Sequence, residues 1–575
     1  MMKIGELKKV FSAVRHENLR ALLRYSAETF GKEDAFVIKK KTGKDVSYEH
    51  ISFADFYERV CSLGTGMMLR GMQGKRVAVI GKNREEWLEG YFAVLSGLGI
   101  CVPLDKGLPY EELETSLARS AAEVLIFDPA HQEQVERLRA AQTTKVSEFI
   151  CMDESEDYVS VAQLRNEGRQ AGAEAIARYQ TLPVDAKELS LILFTSGTTS
   201  MAKAVMLSQY NIVENVYALQ LCEDIRRGDI NMAFLPYHHT FGVTGQLVML
   251  AAGAATAYCD GLKYLQKNIV EYRISVFFCV PLLIEGIYKR IMLTVKKEGL
   301  ERKVRFGLKL SGLLLKCGID VRRKIFKKIL DQLGGSLRLV ISGASAIDPE
   351  AIEGFNRFGI TAVQGYGMTE ASPVLAAENS QERRPGSIGK AIPGVTLMID
   401  EPNEEGIGEL IARGPNVMSG YYKNPEETAK MLAGGWLHTG DLAYADRDGY
   451  LFICGRKKNV IVLKNGKNVY PEELEQLISN LPYVEENMVF GQPRHGEDTQ
   501  DLAVCAKIVY QPAYMQEVLG LSRAEDIEAR IRADIDRINE ELPTYKRIYR
   551  LVVTDQPMIK TTTGKVKRYA ETKNL

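Results

Sequence analysis

At 575 residues, 45% hydrophobic and 26% charged, the chain has the composition of a soluble globular protein too long for one ordinary core, so two or more domains are expected. Lys plus Arg and Asp plus Glu number 74 each, which leaves no global field toward nucleic acid or an anionic membrane and argues against a nucleic-acid partner. Nine scattered cysteines without a CxxC pair speak against a disulfide framework or zinc site and for a reducing, cytoplasmic setting.

The first thirty residues carry charges throughout and no apolar core segment, so a secretory signal is not expected. Up to residue 180, amphipathic helical patterns alternate with short apolar runs: RVAVIG (76–81), ICVPLD (100–105) and EVLIFD (123–128) read as strands, and EEWLEGYFAVLSGLG (85–99) as a helix. This order predicts βαβ units and a parallel sheet with helices on both faces. The first loop, GKNREEW, lacks GxGxxG, so a nicotinamide or flavin Rossmann site has no support.

Residues 189–208, LSLILFTSGTTSMAKAVMLS, read as a buried strand (Leu189 to Phe194), then a loop rich in hydroxyls, then a helix beginning near Ser208. Thr195, Ser196, Gly197, Thr198 and Thr199 offer backbone N–H groups and hydroxyls to an anion, and Lys203 a mobile point charge. Triphosphate binding fits these groups, although a Ser/Thr turn capping the next helix explains the loop as simply. The Walker spacing is absent, so a P-loop fold is not implied.

Beyond this loop, strands are expected near 230–235, 275–280 and 337–342. Asn231 to Cys259 contains no Asp, Glu, Lys or Arg, but Pro236, His238, His239 and glycines interrupt it, so a buried strand, a polar turn and a core helix fit better than a membrane span. Residues 288–333 read as amphipathic helices with many Lys and Arg. A solvated face whose lysines snorkel is favoured there, with contact to anionic lipid as the minor reading.

From Gly386 the texture changes to short strands and turns, a small distorted barrel or antiparallel subdomain. After Arg456 come strands (NVIVLK, ENMVFG, LAVCAKIV), charged helices (524–541), a strand (IYRLVVT) and a glycine-containing loop, which together suggest a separate α+β domain. The boundary is placed at GRKKN, giving domains 1–455 and 456–575.

Five segments, in order, resemble the motifs of the adenylate-forming superfamily of acyl- and aryl-CoA synthetases, luciferases and peptide-synthetase adenylation domains. They are TSGTTSMAKA (195–204), LPYHHTFG (235–242), SGASAIDPE with VQGYGMTEAS (342–350 and 363–372), WLHTGDLAYADRDGYLFICGRKKN (436–459) and PMIKTTTGKVKR (557–568). The family loop reads TSGTTGxPKG, so Ser200, Ala202 and Ala204 depart from it, and serine or alanine tolerates positive φ only at a cost. GRKKNVIVLKNGKNVYPEELE, LPYVEENMVFGQ and LPYHHTFG look most like the long-chain fatty acyl-CoA synthetases.

The resemblance implies an α/β fold: a large N-terminal AMP-binding domain of parallel sheets plus a small distorted β-barrel, and a small mobile C-terminal lid. It implies activation of a fatty acid by ATP through acyl-AMP and thioester formation with CoA, with Mg²⁺ on Glu370 and Thr198. By motif position, Thr369 donates to the α-phosphate, Tyr366 stacks on the purine, and Gly343, Ala344, Gly365 and Gly367 let the backbone approach the nucleotide. Asp441 and Arg456 reach the ribose, His239 lines the carboxylate pocket, Lys458 is the hinge and Lys565 bridges acyl and phosphoryl oxygens. DRDG (446–449) is read only as a hairpin turn. An acyl-AMP ligase or acyl-carrier-protein synthetase is the alternative, and a non-catalytic sensor the third reading. Peripheral membrane contact stays open, without a transmembrane segment.

Overall fold

Short charge-free runs such as Val77–Ile80 and Val124–Phe127 have both faces buried, as strands of a parallel sheet covered by helices on each side must. The computed structural model describes residues 4–43, 45–195, 202–494, 501–560 and 566–573. One sheet has eight strands: Lys75–Ile80, Gly99–Leu104, Val124–Phe127, Glu148–Cys151, Val159–Ser160 and Leu189–Thr195 run parallel, and Lys203–Ser208 and Gly420–Tyr421 extend one edge antiparallel. The second has nine strands around a parallel centre of Ile230–Ala233, Ala255–Tyr258, Val276–Cys279, Leu339–Ser342 and Thr361–Gly367. The expected helix at 85–99 is Glu85–Ala93, continued as a wider turn over Val94–Leu98 and ended by Gly97 at φ 119°.

The helix near Ser208 is Gln209–Cys222, closed by reciprocal capping between Ser208 and Asn211. The loop expected before it is shorter than the sequence suggested. Lys203–Ser208 is a strand antiparallel to Leu189–Thr195, because Val205 and Leu207 bury completely once that register is taken. Among the strands that were not expected, Asp34–Thr42 and Asp45–Ser52 form a hairpin whose Lys39–Lys41 run hides the pattern. Between Asn231 and Cys259 there is an additional strand, Ala255–Tyr258, after the core helix Thr240–Ala251. Among the described residues no helix is long and apolar enough to cross a membrane.

The short strands after Gly386 form an antiparallel sheet of Thr396–Asp400, Gly408–Arg413, Leu437–Ala445 and Leu451–Arg456, with Asp446–Gly449 as the turn of its last hairpin. After Arg456, Val484–Pro493, Leu502–Tyr510 and Arg550–Thr554 form a three-stranded sheet packed with Pro471–Ser479 and Ala524–Glu541 around a core of its own. Cysteines 61, 101, 151, 222, 279 and 505 are buried free thiols.

Candidate active site

The strand pair Leu189–Thr195 and Lys203–Ser208 brings Thr195 opposite Lys203, and the Thr195 hydroxyl donates to the Lys203 carbonyl at 3.4 Å. Ser196, Gly197, Thr198, Thr199 and Ser200 lie outside the described residues, as does Lys565. The Lys203 ammonium donates to Glu427 Oε2 at 2.8 Å and sits 4.9 Å over the Tyr421 ring. Lys203 and then Lys430 hold the Glu427 carboxyl down at about 2. Glu427 escaped the sequence reading. Its helix start is legible, since Asn424 accepts from the Glu427 N–H ahead of Pro425, but the lysine it faces is 224 residues away.

Tyr421 links this lysine to the metal candidate. It lies on the edge strand Gly420–Tyr421, and its hydroxyl donates to Glu370 Oε1 at 2.8 Å. Burial and the Glu370 carboxylate push the Tyr421 phenol well up. Thr369 and Glu370 form a single 3₁₀ turn that follows the strand Thr361–Gly367, so Glu370, only 7% exposed, does not cap a longer helix. A buried carboxylate with a phenol on one oxygen is a hard oxygen donor of the kind Mg²⁺ accepts.

Gly365, Tyr366 and Gly367 end that strand. A Cβ at Gly367 would lie 1.9 Å from the Pro373 carbonyl oxygen, so no side chain fits; at Gly343 it would crowd the Phe241 ring at 3.2 Å. Ala344 is at φ 76°, a left-handed conformation that strains a residue with a Cβ. The Tyr366 hydroxyl donates to Asp441 Oδ2 at 2.5 Å. Asp441 and Arg456 are cross-strand partners, with Arg456 Nε 2.7 Å from Asp441 Oδ1.

Lys458 follows in the turn Lys457–Asn459, and burial together with the charges of Arg456, Lys203 and Arg568 pushes its ammonium down. Its neighbour Lys457 ties this turn to Glu409 at 2.8 Å.

The two histidines occupy the polar turn expected between the buried strand and the core helix, because Pro236 cannot continue the ladder, and His239 precedes the helix Thr240–Ala251 as its N-cap residue. Their ring centroids are 4.1 Å apart, and with Asp105 they bring three donor atoms within 4.8 Å of one another. His238 Nε2 is 3.4 Å from Asp105 Oδ1. Beside this turn, Phe234, Leu235, Tyr237 and Phe278, together with Asn231 and Gln246, line a small cavity of about 10 Å³.

Residues 23–422 match the family model described as AMP-binding enzyme, and residues 458–575 the model described as AMP-binding enzyme C-terminal domain. The chain is 26% identical over 502 residues to long-chain-fatty-acid–CoA ligase FadD15 of Mycobacterium bovis, covering 84% of this chain and 82% of that protein. It is 29% identical over 543 residues to fatty acyl-CoA synthetase B of Dictyostelium discoideum, covering 87% and 78%. Its fold is similar to the crystal structure of the anthranilate CoA ligase AuaEII in complex with anthranoyl-AMP, with a TM-score of 0.75 at 20% identity over 98% of each chain.

Proposed function

The chain belongs to the AMP-binding enzyme family and is an acid–thiol ligase, and on that premise we propose that its substrates are a medium- to long-chain fatty acid, ATP and CoA. The observation that carries this reading is the line of contacts from Lys203 through Tyr421 to Glu370, which joins the phosphate strand to a buried carboxylate. The similarity to a long-chain-fatty-acid–CoA ligase and to a fatty acyl-CoA synthetase supports an alkyl acid.

In the first half-reaction an oxygen of the fatty carboxylate attacks the α-phosphorus of ATP in line, and the bond to pyrophosphate breaks to give acyl-AMP. Thr195, Ser196, Gly197, Thr198, Thr199 and Lys203 hold the leaving phosphates, and Thr369 donates to the α-phosphate. The Tyr366 ring receives the base where Gly343, Ala344, Gly365 and Gly367 admit the backbone, and Asp441 with Arg456 takes the ribose. Glu370 and Thr198 are the residues that would hold Mg²⁺, which when bound offsets charge on the phosphates. Lys565 neutralises charge as it builds between the acyl and phosphoryl oxygens. In the second half-reaction the CoA thiolate attacks the acyl carbon and AMP leaves. Residues 456–575 act as the lid over residues 1–455 and turn about Lys458 between the two steps.

A panel of carboxylic acids in a pyrophosphate-release assay, with and without CoA, tests this reading. Turnover with alkyl acids and CoA is expected. Acyl transfer only to a protein-bound pantetheine would establish the carrier-protein alternative, and no release with any acid would establish a sensor.

A further inference from the structure

Residues 281–331 hold fourteen Lys and Arg against five Asp and Glu, a formal charge of +9 in a chain whose net charge is zero. The cationic excess is therefore local, carried by the helices Pro281–Lys297 and Glu301–Lys316 and the short turns after them. In the sequence this face reads as lysines arching over apolar residues that point inward. The structure shows apolar residues on both sides of helix Glu301–Lys316: Val304 and Leu308 pack inward beside the buried Gly307 and Ser311, and a Cβ at Gly307 would crowd Ile325 at 3.0 Å.

A second set of large residues faces out. Phe306 is 68% exposed and Leu313 64%, with Leu310 exposed between them. Spaced i, i+4 and i+7, the three form one stripe. Arg302, Lys309 and Lys316, seven residues apart, run along one side of it and Lys303 lies on the other. The ion pairs of this region, Arg322–Asp320 and Lys327–Asp331, leave these four cations without one to a described residue. Leu282 and Leu293 of the neighbouring helix are exposed as well.

We propose that this face docks on an anionic membrane surface, with Phe306, Leu310 and Leu313 entering the boundary between headgroups and acyl chains and Arg302, Lys303, Lys309 and Lys316 on the lipid phosphates. Charge complementarity selects this occupant. A second copy would set +9 against +9, and a nucleic-acid backbone has no use for an outward Phe and Leu stripe. The proposal stands apart from the identity of the acid, because vesicle binding requires no turnover.

Sedimentation of the full chain with phosphatidylcholine vesicles, with and without phosphatidylglycerol, tests it. Binding is expected only to the anionic vesicles and to fall steeply at 1 M salt, where the screening length is ~3 Å. Arg302→Gln, Lys309→Gln and Lys316→Gln together should lower partitioning about a hundredfold. Phe306→Ser with Leu313→Ser, at unchanged charge, should lower it about tenfold. Both variants should keep the wild-type Tm and pyrophosphate release with a water-soluble medium-chain acid. Equal binding to neutral vesicles, no binding to either, or insensitivity to the Phe306→Ser and Leu313→Ser pair would overturn the proposal. So would a dimer or a nucleic-acid complex that the same substitutions dissolve.

Discussion

Lys203 and Glu427 meet at 2.8 Å, although 224 residues separate them, so the cation assigned to the phosphates already has a carboxylate partner. ATP must draw Lys203 away or share it. Replacing Glu427 by Gln removes a partly exposed pair worth about 0.5–1 kcal/mol, which predicts a roughly two- to fivefold fall in KM for ATP with kcat little changed. A rise in KM would mean that Glu427 aims Lys203 instead of competing for it. The carboxyl lies below its ordinary 4.5, so the pair's stabilisation is full above that pH and is lost as pH falls from about 4.5 toward about 2. The acid limb of a Tm–pH profile should flatten in Glu427→Gln.

Glu370 is buried and accepts a hydrogen bond from Tyr421 at 2.8 Å. Tyr421→Phe leaves a buried oxygen short of a donor, which predicts a loss of about 1–3 kcal/mol in stability and weaker apparent Mg²⁺ affinity. Glu370→Ala should abolish pyrophosphate release and shift Tm by no more than Tyr421→Phe does. Near-normal turnover of Glu370→Ala at saturating Mg²⁺ would exclude the metal role.

Asp441 receives both Tyr366 and Arg456, an arrangement suited to a carboxylate held rigid for a diol. The expectation is that the wild type prefers ATP over 2′-deoxyATP by kcat/KM, and that Asp441→Asn narrows this preference while raising KM for ATP about tenfold or more. An unchanged ratio of the two nucleotides would place the ribose elsewhere.

Local pattern was legible and distant pairing was not. The charge-free runs at Val77–Ile80 and Val124–Phe127, the Ser208 helix start and the hairpin at Asp446–Gly449 follow from period, caps and turn residues that sit side by side in the chain. The Asp34–Thr42 strand was missed because Lys39 looks like a solvent residue. Its ammonium is in fact paired between Asp260 at 3.0 Å and Glu271 at 2.6 Å, partners more than 200 residues on. The same holds for Tyr421 on Glu370 and Glu427 on Lys203. Both contacts depend on Gly420–Tyr421 joining the edge of the eight-stranded sheet, which nothing near residue 203 or 370 signals.

Lys458 lies in a one-turn 3₁₀ segment between the strands Leu451–Arg456 and Ile461–Val462. Proline would fix φ at this turn and so should hinder rotation about it. If the lid alternates, Lys458→Pro should form acyl-AMP from ATP and fail to convert supplied acyl-AMP and CoA into thioester. Lys565→Ala should do the reverse, because its charge is needed only while the phosphoryl oxygen is attacked. Lys458→Ala separates the hinge from the side chain: it removes a cation that Arg456, Lys203 and Arg568 already crowd, and leaves φ free. It should therefore retain both steps. Chromatography of acyl-AMP and acyl-CoA follows the half-reactions separately, and equal loss of both in Lys458→Pro and Lys565→Ala would rule out an alternating lid.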